Sequence, residues 1–343
     1  MNASGPAPAA SATSLDPAVV RFDSVEGRFL GYVPGQPLVF TFSQPMNPAS
    51  FAGGILLERT ESPVGIALSS PAPEPLDFSY DTTTYRVSCT PPSGALAYNS
   101  SFRLTLSSHV LDSEDNALAQ ASAFGFSTLA NQSEDSRIAA SDAKTTVDVP
   151  SAAAPADYYT VIRVDPVNQP ERMNVAAYQA ATIKAQTSYS AYLTPVPGAV
   201  REFTAYDGAH RLISSFAKPV TVEIPFTDAN HDGIVDGTNP PIRVQSLAVW
   251  WLDEPKKLWV RLPNPKLDLA RGVVSAETAH FSAFALIGAM DTNLDFVQVF
   301  PIPFRPNAGD PARFGTASEG VKFWSLPSSV DIDIYTLTGR LVR

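Results

Sequence analysis

The feature that most constrains this chain is a succession of short segments in which apolar and polar residues alternate. Pro, Gly, Asn and Asp separate these segments. Alternation with a period of two places the apolar side chains on one face of a strand, and many short strands at regular spacing are typical of β-sandwiches and barrels. The sequence therefore predicts an all-β protein. The segments include AVVRF, LVFTFS, GILLER, TYRVSC, FRLTLS, AFGFST, YYTVIRV, AVREFTAY, PVTVEIPF, SLAVWWL, LWVRL, GVVSAE and FSAFALIG.

One segment, PERMNVAAYQAATIKA, departs from this alternation and predicts a single short helix in the second half of the chain. Its apolar residues recur at the spacing of one helix face, although that face is weak. The residues of this predicted face are Met173, Ala176, Ala177 and Ala180.

Composition excludes several classes of function. Charged residues make up 17% of the 343 residues, against about 25% in average proteins, and the net charge is −10. This acidic balance, without a basic stripe, argues against nucleic-acid binding. No run of 18 apolar residues is present, so the sequence predicts no membrane span. With one cysteine, Cys89, the chain can form no internal disulfide.

The segment TDANHDGIVDGTNP, which begins at Thr227, has the spacing of a calcium-binding loop. Oxygen donors at positions 1, 3, 5, 7 and 9, with Gly233 at position 6 for the sharp turn, wrap a loop around Ca²⁺. The sequence therefore predicts Ca²⁺ as the cofactor. The predicted ligands are Asp228, Asn230, Asp232, the carbonyl of Ile234, and Asp236.

This loop differs from an EF-hand in two ways. Position 12 is Asn239, where an EF-hand has a bidentate Glu, and the preceding segment TVEIPF alternates like a strand. We therefore expect a calcium loop that joins two strands. A solvated acidic turn is the alternative, because Asp, Asn and Gly dominate turns in general.

Residues 15–129 resemble the bacterial Ig-like domains of S-layer and other cell-surface proteins. The resemblance lies in VFTFSQPMNPASF and in FRLTLSSHVLDSEDNALAQASAFGFST. The chain departs from the family pattern at Phe102, where Tyr is usual, and at Asp115, where Gly is usual. Asp115 is compatible with the same turn because Asp tolerates the left-handed conformation. The resemblance implies an Ig-like sandwich that acts as a spacer or an adhesion module.

The remaining organisation follows from composition and from two further resemblances. Residues 1–14 are predicted to be a flexible leader, residues 130–156 a linker with one short strand at TTVDV, and residues 157–290 a second β-sandwich that carries the calcium loop. This second domain resembles a β-sandwich module of bacterial surface proteins. Tandem Ig-like sandwiches joined by linkers are therefore expected.

The C-terminal segment, residues 296–343, resembles the beginning of a type IX secretion sorting domain or a flagellar-hook-type Ig-like module. VFPIPF and IYTLTGRLVR carry this resemblance, with Ile302 in place of the usual Asn. The module is incomplete relative to the family, so we expect the chain to be part of a larger extracellular protein. Whether this module directs secretion or serves as a spacer stays open.

The tripeptide His280-Phe281-Ser282 suggests a different, catalytic alternative. The segment HFSAFALIG resembles the ending of self-cleaving sandwich domains. There the Ser282 hydroxyl would attack the Phe281 carbonyl, with His280 as general base. The flanking residues instead predict a continuous relaxed strand, which would hold the hydroxyl away from the attack path.

Three tryptophans suggest another alternative, an accessory carbohydrate-binding segment of a hydrolase. Trp250, Trp251 and Trp259 lie on two predicted strands, and aromatic rings can stack on sugars. Because neighbouring strand residues face opposite sides, Trp250 and Trp251 are not both expected in the core. Isolated exposed aromatic residues are also common on proteins of no sugar-binding function.

Apart from the tripeptide His280-Phe281-Ser282, the sequence shows no known catalytic motif. It contains no Gly-rich phosphate loop, no G-x-S-x-G, no H-E-x-x-H and no Cys/His metal set. We therefore predict a non-catalytic structural or adhesive segment of a larger secreted or cell-surface protein of a Gram-negative bacterium. Its expected partners are other domains of the same polypeptide, with a cell-surface polysaccharide or protein as candidates beyond them.

Overall fold

The structure is a computed structural model, and it confirms an all-β fold with few helices. The leader predicted at residues 1–14 lies outside the described residues except for residues 10–11. The structure describes residues 10–11, 21–188, 193–291, 294, 297–324, 326, 330–336 and 338–341.

The first sandwich is formed by two sheets with a shared core. One sheet has the strand order β1-β4-β8-β7 and the other β2-β3-β10-β9-β5-β6. Along β4, Leu38, Phe40 and Phe42 point inward and the residues between them are half-buried, as the alternating sequence predicts. A one-turn helix, α1 (Phe51–Gly54), precedes β5. The strands are β1 (Ala10–Ser11), β2 (Arg21–Asp23), β3 (Arg28–Tyr32), β4 (Leu38–Phe42), β5 (Ile55–Glu61), β6 (Ala67–Glu74), β7 (Asp77–Asp81), β8 (Arg86–Thr90), β9 (Ser101–Leu106) and β10 (Ser122–Thr128).

The second sandwich is also formed by two sheets, with the orders β11-β12-β15-β19-β18 and β13-β14-β20-β16-β17. Its strands are β11 (Ser136–Ala139), β12 (Thr146–Val149), β13 (Tyr158–Arg163), β14 (Leu193–Asp207), β15 (Val220–Pro225), β16 (Ala248–Asp253), β17 (Leu258–Arg261), β18 (Lys266–Asp268), β19 (Val273–Thr278) and β20 (Ala283–Ala289). The helix α2 (Val175–Ser188) packs on the outer face of the sheet that contains β14, β16 and β17.

The segment predicted as a linker, residues 130–156, is part of the second sandwich. It contains both β11 and β12, and Val147 of β12 pairs with Val222 of β15. The sequence suggested a linker because Ala and Ser are abundant there. These small residues pack closely instead, since Ala153 is fully buried and Ala154 is 5% exposed. The predicted strand at TTVDV corresponds to β12.

The predicted helix is present, but its buried face differs from the predicted one. Residues at a spacing of four, Ala177, Ala181 and Ala185, are buried against the sheet, and Met173 just before the helix joins them. Ala176 is exposed. The stripe therefore runs along one line of the helix, and small side chains on it allow the helix to lie close to the strands.

The helix also explains why both adjacent tryptophans are packed. Trp250 is 8% exposed and belongs to the cluster under α2, whereas Trp251 packs against the core between the two sheets. As expected, the two are not both core residues: only Trp250 is buried, and Trp251 is partly buried even though this sheet is covered on both faces. Trp259 is 2% exposed in the cluster beneath the helix.

The C-terminal segment forms a small separate sheet in its described part. The strands β21 (Gln298–Phe300) and β22 (Lys322–Trp324) pair, and α3 (Pro311–Phe314) lies between them in sequence. Phe300, Ile302 and Trp324 are each more than half exposed. The tail therefore presents apolar side chains on its surface.

Candidate functional site

The candidate calcium loop follows β15 and is anchored by backbone hydrogen bonds at both ends. The amide of Asp236 donates to the carbonyl of Thr227 at 2.8 Å and closes the loop. Val235, 3% exposed, donates to the carbonyl of Ile242 at 2.9 Å. Because the loop is fixed by a buried residue, its acidic side chains sit on a rigid base at the surface.

Two acidic side chains of the loop accept hydrogen bonds from backbone amides of the same loop. Both carboxylate oxygens of Asp228 accept hydrogen bonds, from the amides of Asp232 at 3.1 Å and Gly233 at 3.2 Å. Asp236 accepts from the amide of Ala229 at 2.9 Å. Gly233 has φ +83°, the left-handed turn that its position in the motif predicts. These hydrogen bonds hold the carboxylates of Asp228 and Asp236 against the backbone of the loop.

Among the described residues, the carboxylates of this loop make no ion pair with Lys or Arg. No Lys or Arg nitrogen there lies within 4.0 Å of Asp228, Asp232 or Asp236. Asn230 donates to Asp232 at 2.9 Å, and that is a neutral partner. Three carboxylates, an amide oxygen and a carbonyl are a donor set suited to Ca²⁺, which prefers oxygen ligands. In the described part of the chain, however, no three Asp, Glu, His or Cys side chains converge as a metal centre.

The tripeptide at 280–282 lies between two sheets, not in a continuous strand. The strand β19 ends at Thr278 in one sheet and β20 begins at Ala283 in the other, so the chain crosses the sandwich at this point. The Ser282 hydroxyl donates to the carbonyl of Leu252 at 3.4 Å, while Nδ1 of His280 lies 3.3 Å from the carbonyl oxygen of Phe281. The structure thus gives the hydroxyl a partner other than the predicted base. Self-cleavage stays a prediction.

Sequence reasoning missed two clusters of charged side chains. In the second sandwich, Glu223 accepts from Arg271 at 2.7 Å, Thr146 at 2.9 Å and Arg137 at 2.6 Å. The pKa of Glu223 is lowered to about 2, mainly by the hydrogen bond from Arg271. No local signal could reveal this cluster, since Arg137 and Glu223 are 86 residues apart in sequence.

The second cluster lies between the two sandwiches. Arg163 pairs with Asp23 at 2.9 Å and with Glu171 at 2.7 Å. Burial opposes ionisation of Glu171, but hydrogen bonds from Arg21, Tyr206 and Arg163 lower its pKa to about 2. Asp23 and Arg163 are 140 residues apart, so only the folded chain brings them together.

Comparison with known proteins finds one family match, and it covers the first sandwich. Residues 8–128 match the family model described as a bacterial Ig-like domain. This agrees with the resemblance of residues 15–129 to such domains. No curated protein matches the chain. Among the described residues, no helix is long and apolar enough to cross a membrane.

Similar solved structures include the N-terminal part of the bacterial S-layer protein SbsC. It is 12% identical with a TM-score of 0.25, and the match covers 68% of this chain and 42% of that one. Another is native alpha-2-macroglobulin from Escherichia coli spanning domains MG0-NIE-MG1, at 13% identity and a TM-score of 0.22, covering 83% of this chain and 97% of that one. The chain spans less than half of the SbsC structure. Likeness at this level says nothing about function.

Proposed function

We propose that this chain is a non-catalytic structural or adhesive segment of a larger secreted or cell-surface protein of a Gram-negative bacterium. The observation that carries the proposal is the match of residues 8–128 to the bacterial Ig-like domain family. A second sandwich packed directly against that domain suits a spacer that holds other parts of the polypeptide at a distance. Cell-surface polysaccharide or protein would be the partner of an adhesive form.

Exposure of intact cells to a protease tests this location. In the bacterium that encodes the full-length protein, added protease should degrade the chain while a cytoplasmic marker survives. Complete protection in intact cells, followed by degradation after lysis, would place the protein inside the cell and contradict the proposal.

The second part of the proposal is that Ca²⁺ stabilises the second sandwich. Asp228, Asp232 and Asp236 bring three negative charges to one loop, and among the described residues none of them makes an ion pair with Lys or Arg. Bound Ca²⁺ would relieve that repulsion, with Asn230 and the Ile234 carbonyl completing the donor set. Extracellular calcium modules bind at about 10⁻⁴ to 10⁻³ M, a range suited to a secreted protein.

Thermal unfolding with and without Ca²⁺ measures this stabilisation. Ligand at a hundredfold excess over its Kd adds about 2.7 kcal/mol to the folded state. For a domain of this size the melting temperature should then rise by about 5 °C or more. Asp232→Ala should abolish the rise. Magnesium at the same concentration controls for ionic strength, since it demands a tighter octahedral geometry.

A matched variant separates ligand binding from turn stability. Asp81 makes turn hydrogen bonds of the same kind with Thr83 and Thr84, far from the loop in the first sandwich. Asp81→Ala should lower the melting temperature somewhat but leave the response to Ca²⁺ intact. An identical melting temperature in Ca²⁺ and in EDTA would instead favour the solvated acidic turn.

A further inference from the structure

The two sandwiches are in direct contact. Along β13, Tyr159, Val161 and Arg163 face the first sandwich, whereas the alternate residues Tyr158 and Ile162 belong to the core of the second. An apolar cluster fills the contact: Leu30, Leu129, Tyr159, Val161 and Tyr206. The rings of Tyr159 and Tyr206 stack with centroids 5.4 Å apart. This contact removes apolar surface of both sandwiches from water.

Charged side chains clamp the same contact. The guanidinium of Arg163, in the second sandwich, bonds Asp23 of the first at 2.9 Å. Glu171 of the second sandwich bonds Arg21 of the first at 2.8 Å and also Arg163 at 2.7 Å. The Asp23 side chain is fully buried, and those of Arg163 and Glu171 are 8% and 5% exposed. We call Arg21, Asp23, Arg163 and Glu171 the clamp.

A turn of the first sandwich also enters the second. Val64, between β5 and β6, lies in the hydrophobic core of the second sandwich at 9% exposure. Its carbonyl accepts from the amide of Ala139 at 3.0 Å, and the Asn99 amide group donates to the carbonyl of Arg137 at 3.0 Å. Backbone, core and charge therefore all connect the two units.

We propose that the clamp and the contact around it couple the two sandwiches into one cooperative folding unit, so that neither unfolds while the other stays native. Domains of one chain move relative to each other unless the surface between them is large and hydrophobic. Here the unfolding of one sandwich would expose the apolar surface of the other to water and break the ion pairs between them. The contact stabilises each sandwich only while the other is folded, which makes their stabilities interdependent. The inference depends on neither Ca²⁺ nor cellular location.

The chain carries a separate natural probe for each sandwich. Cys89, the single cysteine, is fully buried in the first sandwich, and burial raises the pKa of its thiol to about 12. A protonated buried thiol does not react, so labelling of Cys89 reports opening of the first sandwich. Trp250, Trp251 and Trp259 report the second sandwich by fluorescence, since the first contains no Trp. The fourth tryptophan, Trp324, lies in the tail and is 61% exposed, so unfolding changes its surroundings little.

Urea unfolding of the whole chain, followed by pulsed labelling of Cys89 and by Trp fluorescence, tests the coupling. Both probes should give one midpoint in the native chain. Arg163→Met, which removes the centre of the clamp, should separate the two midpoints by more than about 0.5 M urea. Asp23→Asn provides a milder second variant. It retains an acceptor oxygen for the turn amides of Val25 and Glu26 and should separate the midpoints in the same direction.

The matched control is Arg137→Met. Arg137 also joins two carboxylates, Asp148 and Glu223, but all three belong to the second sandwich. In a coupled unit its loss lowers both midpoints together. A shift of the Trp midpoint alone would show that the native midpoints agree by coincidence, and it would overturn the proposal. So would separate midpoints in the native chain, or coincident midpoints in both Arg163→Met and Asp23→Asn.

Discussion

Glu223 shows how a single residue can tie several strands of the second sandwich. Its carboxylate on β15 binds Thr146 and Arg137, from β12 and β11, and Arg271 just before β19. The pKa of Glu223 is lowered from an ordinary value of 4.5 to about 2, and the hydrogen bond from Arg271 is the main cause. A carboxylate with a lowered pKa stabilises the fold above its ordinary pKa. That stabilisation is lost as the pH falls from about 4.5 towards 2.

Replacement of Glu223 by Gln should therefore cost stability at neutral pH and little in acid. We expect a loss of about 2 kcal/mol at pH 7, because two charged hydrogen-bond partners lose their acceptor charge. The difference from the native chain should shrink as the pH approaches 2. Urea midpoints measured across this range supply the test.

Asp148→Asn is the control for that experiment. Asp148 also pairs with Arg137, but its side chain is 43% exposed, and burial raises its pKa rather than lowering it. An exposed pair contributes about 0 to 1 kcal/mol, so a small change is expected. Equal losses in the two variants at pH 7 would contradict the role assigned to Glu223.

At the level of single residues, the spacing of residue types in the sequence predicts local backbone geometry. It does not predict which side chains distant in sequence will form hydrogen bonds. The motif around Gly233 correctly indicated a sharp turn, since the conformation of a turn is encoded within a few residues. The partners of Glu223 lie 48 to 86 residues away in sequence. Sequence periodicity carries no information about which of many Arg and Glu side chains will meet.

Among the elements, strands with strict alternation were predicted well. LVFTFS, TYRVSC and FRLTLS correspond to β4, β8 and β9. The strands β3, β6, β7, β11 and β18 were missed. Pro71 and Pro73 interrupt β6, and small polar residues surround β11. The continuous strand predicted through 280–282 was wrong, since the chain there passes from one sheet to the other.

The helix α2 provides a prediction about packing between elements. Ala181 is fully buried against the sheet, whereas Ala176 on the same helix is exposed. Ala181→Leu should cost about 1 to 3 kcal/mol, because extra methylene groups in a packed contact force the helix away from the strands. Ala176→Leu introduces the same side chain at the surface and should change stability by less than about 0.5 kcal/mol.

Denaturant unfolding followed by Trp fluorescence measures both variants, since Trp250 and Trp259 lie under the helix. The fluorescence of the folded state should also change in Ala181→Leu as the environment of these rings is altered. Equal stability of the two variants would mean that the helix can shift without cost and is only loosely attached.

The direct contact between the two sandwiches was not predicted from the sequence. Two sandwiches were expected, and two are present, but a linker was expected between them. Residues 130–156 instead form strands of the second sandwich, and the first sandwich inserts Val64 into the core of the second. Contacts of this kind depend on surfaces that exist only after each sheet has folded.

Gly65 lies at a close approach between the two sandwiches and allows a test of how tight that contact is. The residue has φ +81°, and a Cβ atom there would lie 2.0 Å from the carbonyl oxygen of Ala139 in the second sandwich. Gly94 has nearly the same backbone, φ +79°, but nothing lies within 4 Å of the corresponding position. At either site, the left-handed conformation destabilises an alanine by about 1 to 2 kcal/mol.

The two substitutions should therefore differ by the cost of the contact between the sandwiches. We expect Gly65→Ala to lose about 1 to 3 kcal/mol more than Gly94→Ala, because the obstructing atom belongs to backbone and cannot rotate away. Urea midpoints from Cys89 labelling and Trp fluorescence provide the comparison. If the sandwiches fold as one unit, Gly65→Ala lowers both midpoints or separates them, since it forces apart the surfaces that join them. Equal losses at the two glycines would instead mean that the sandwiches can move apart freely at this point, as two independently mobile domains would.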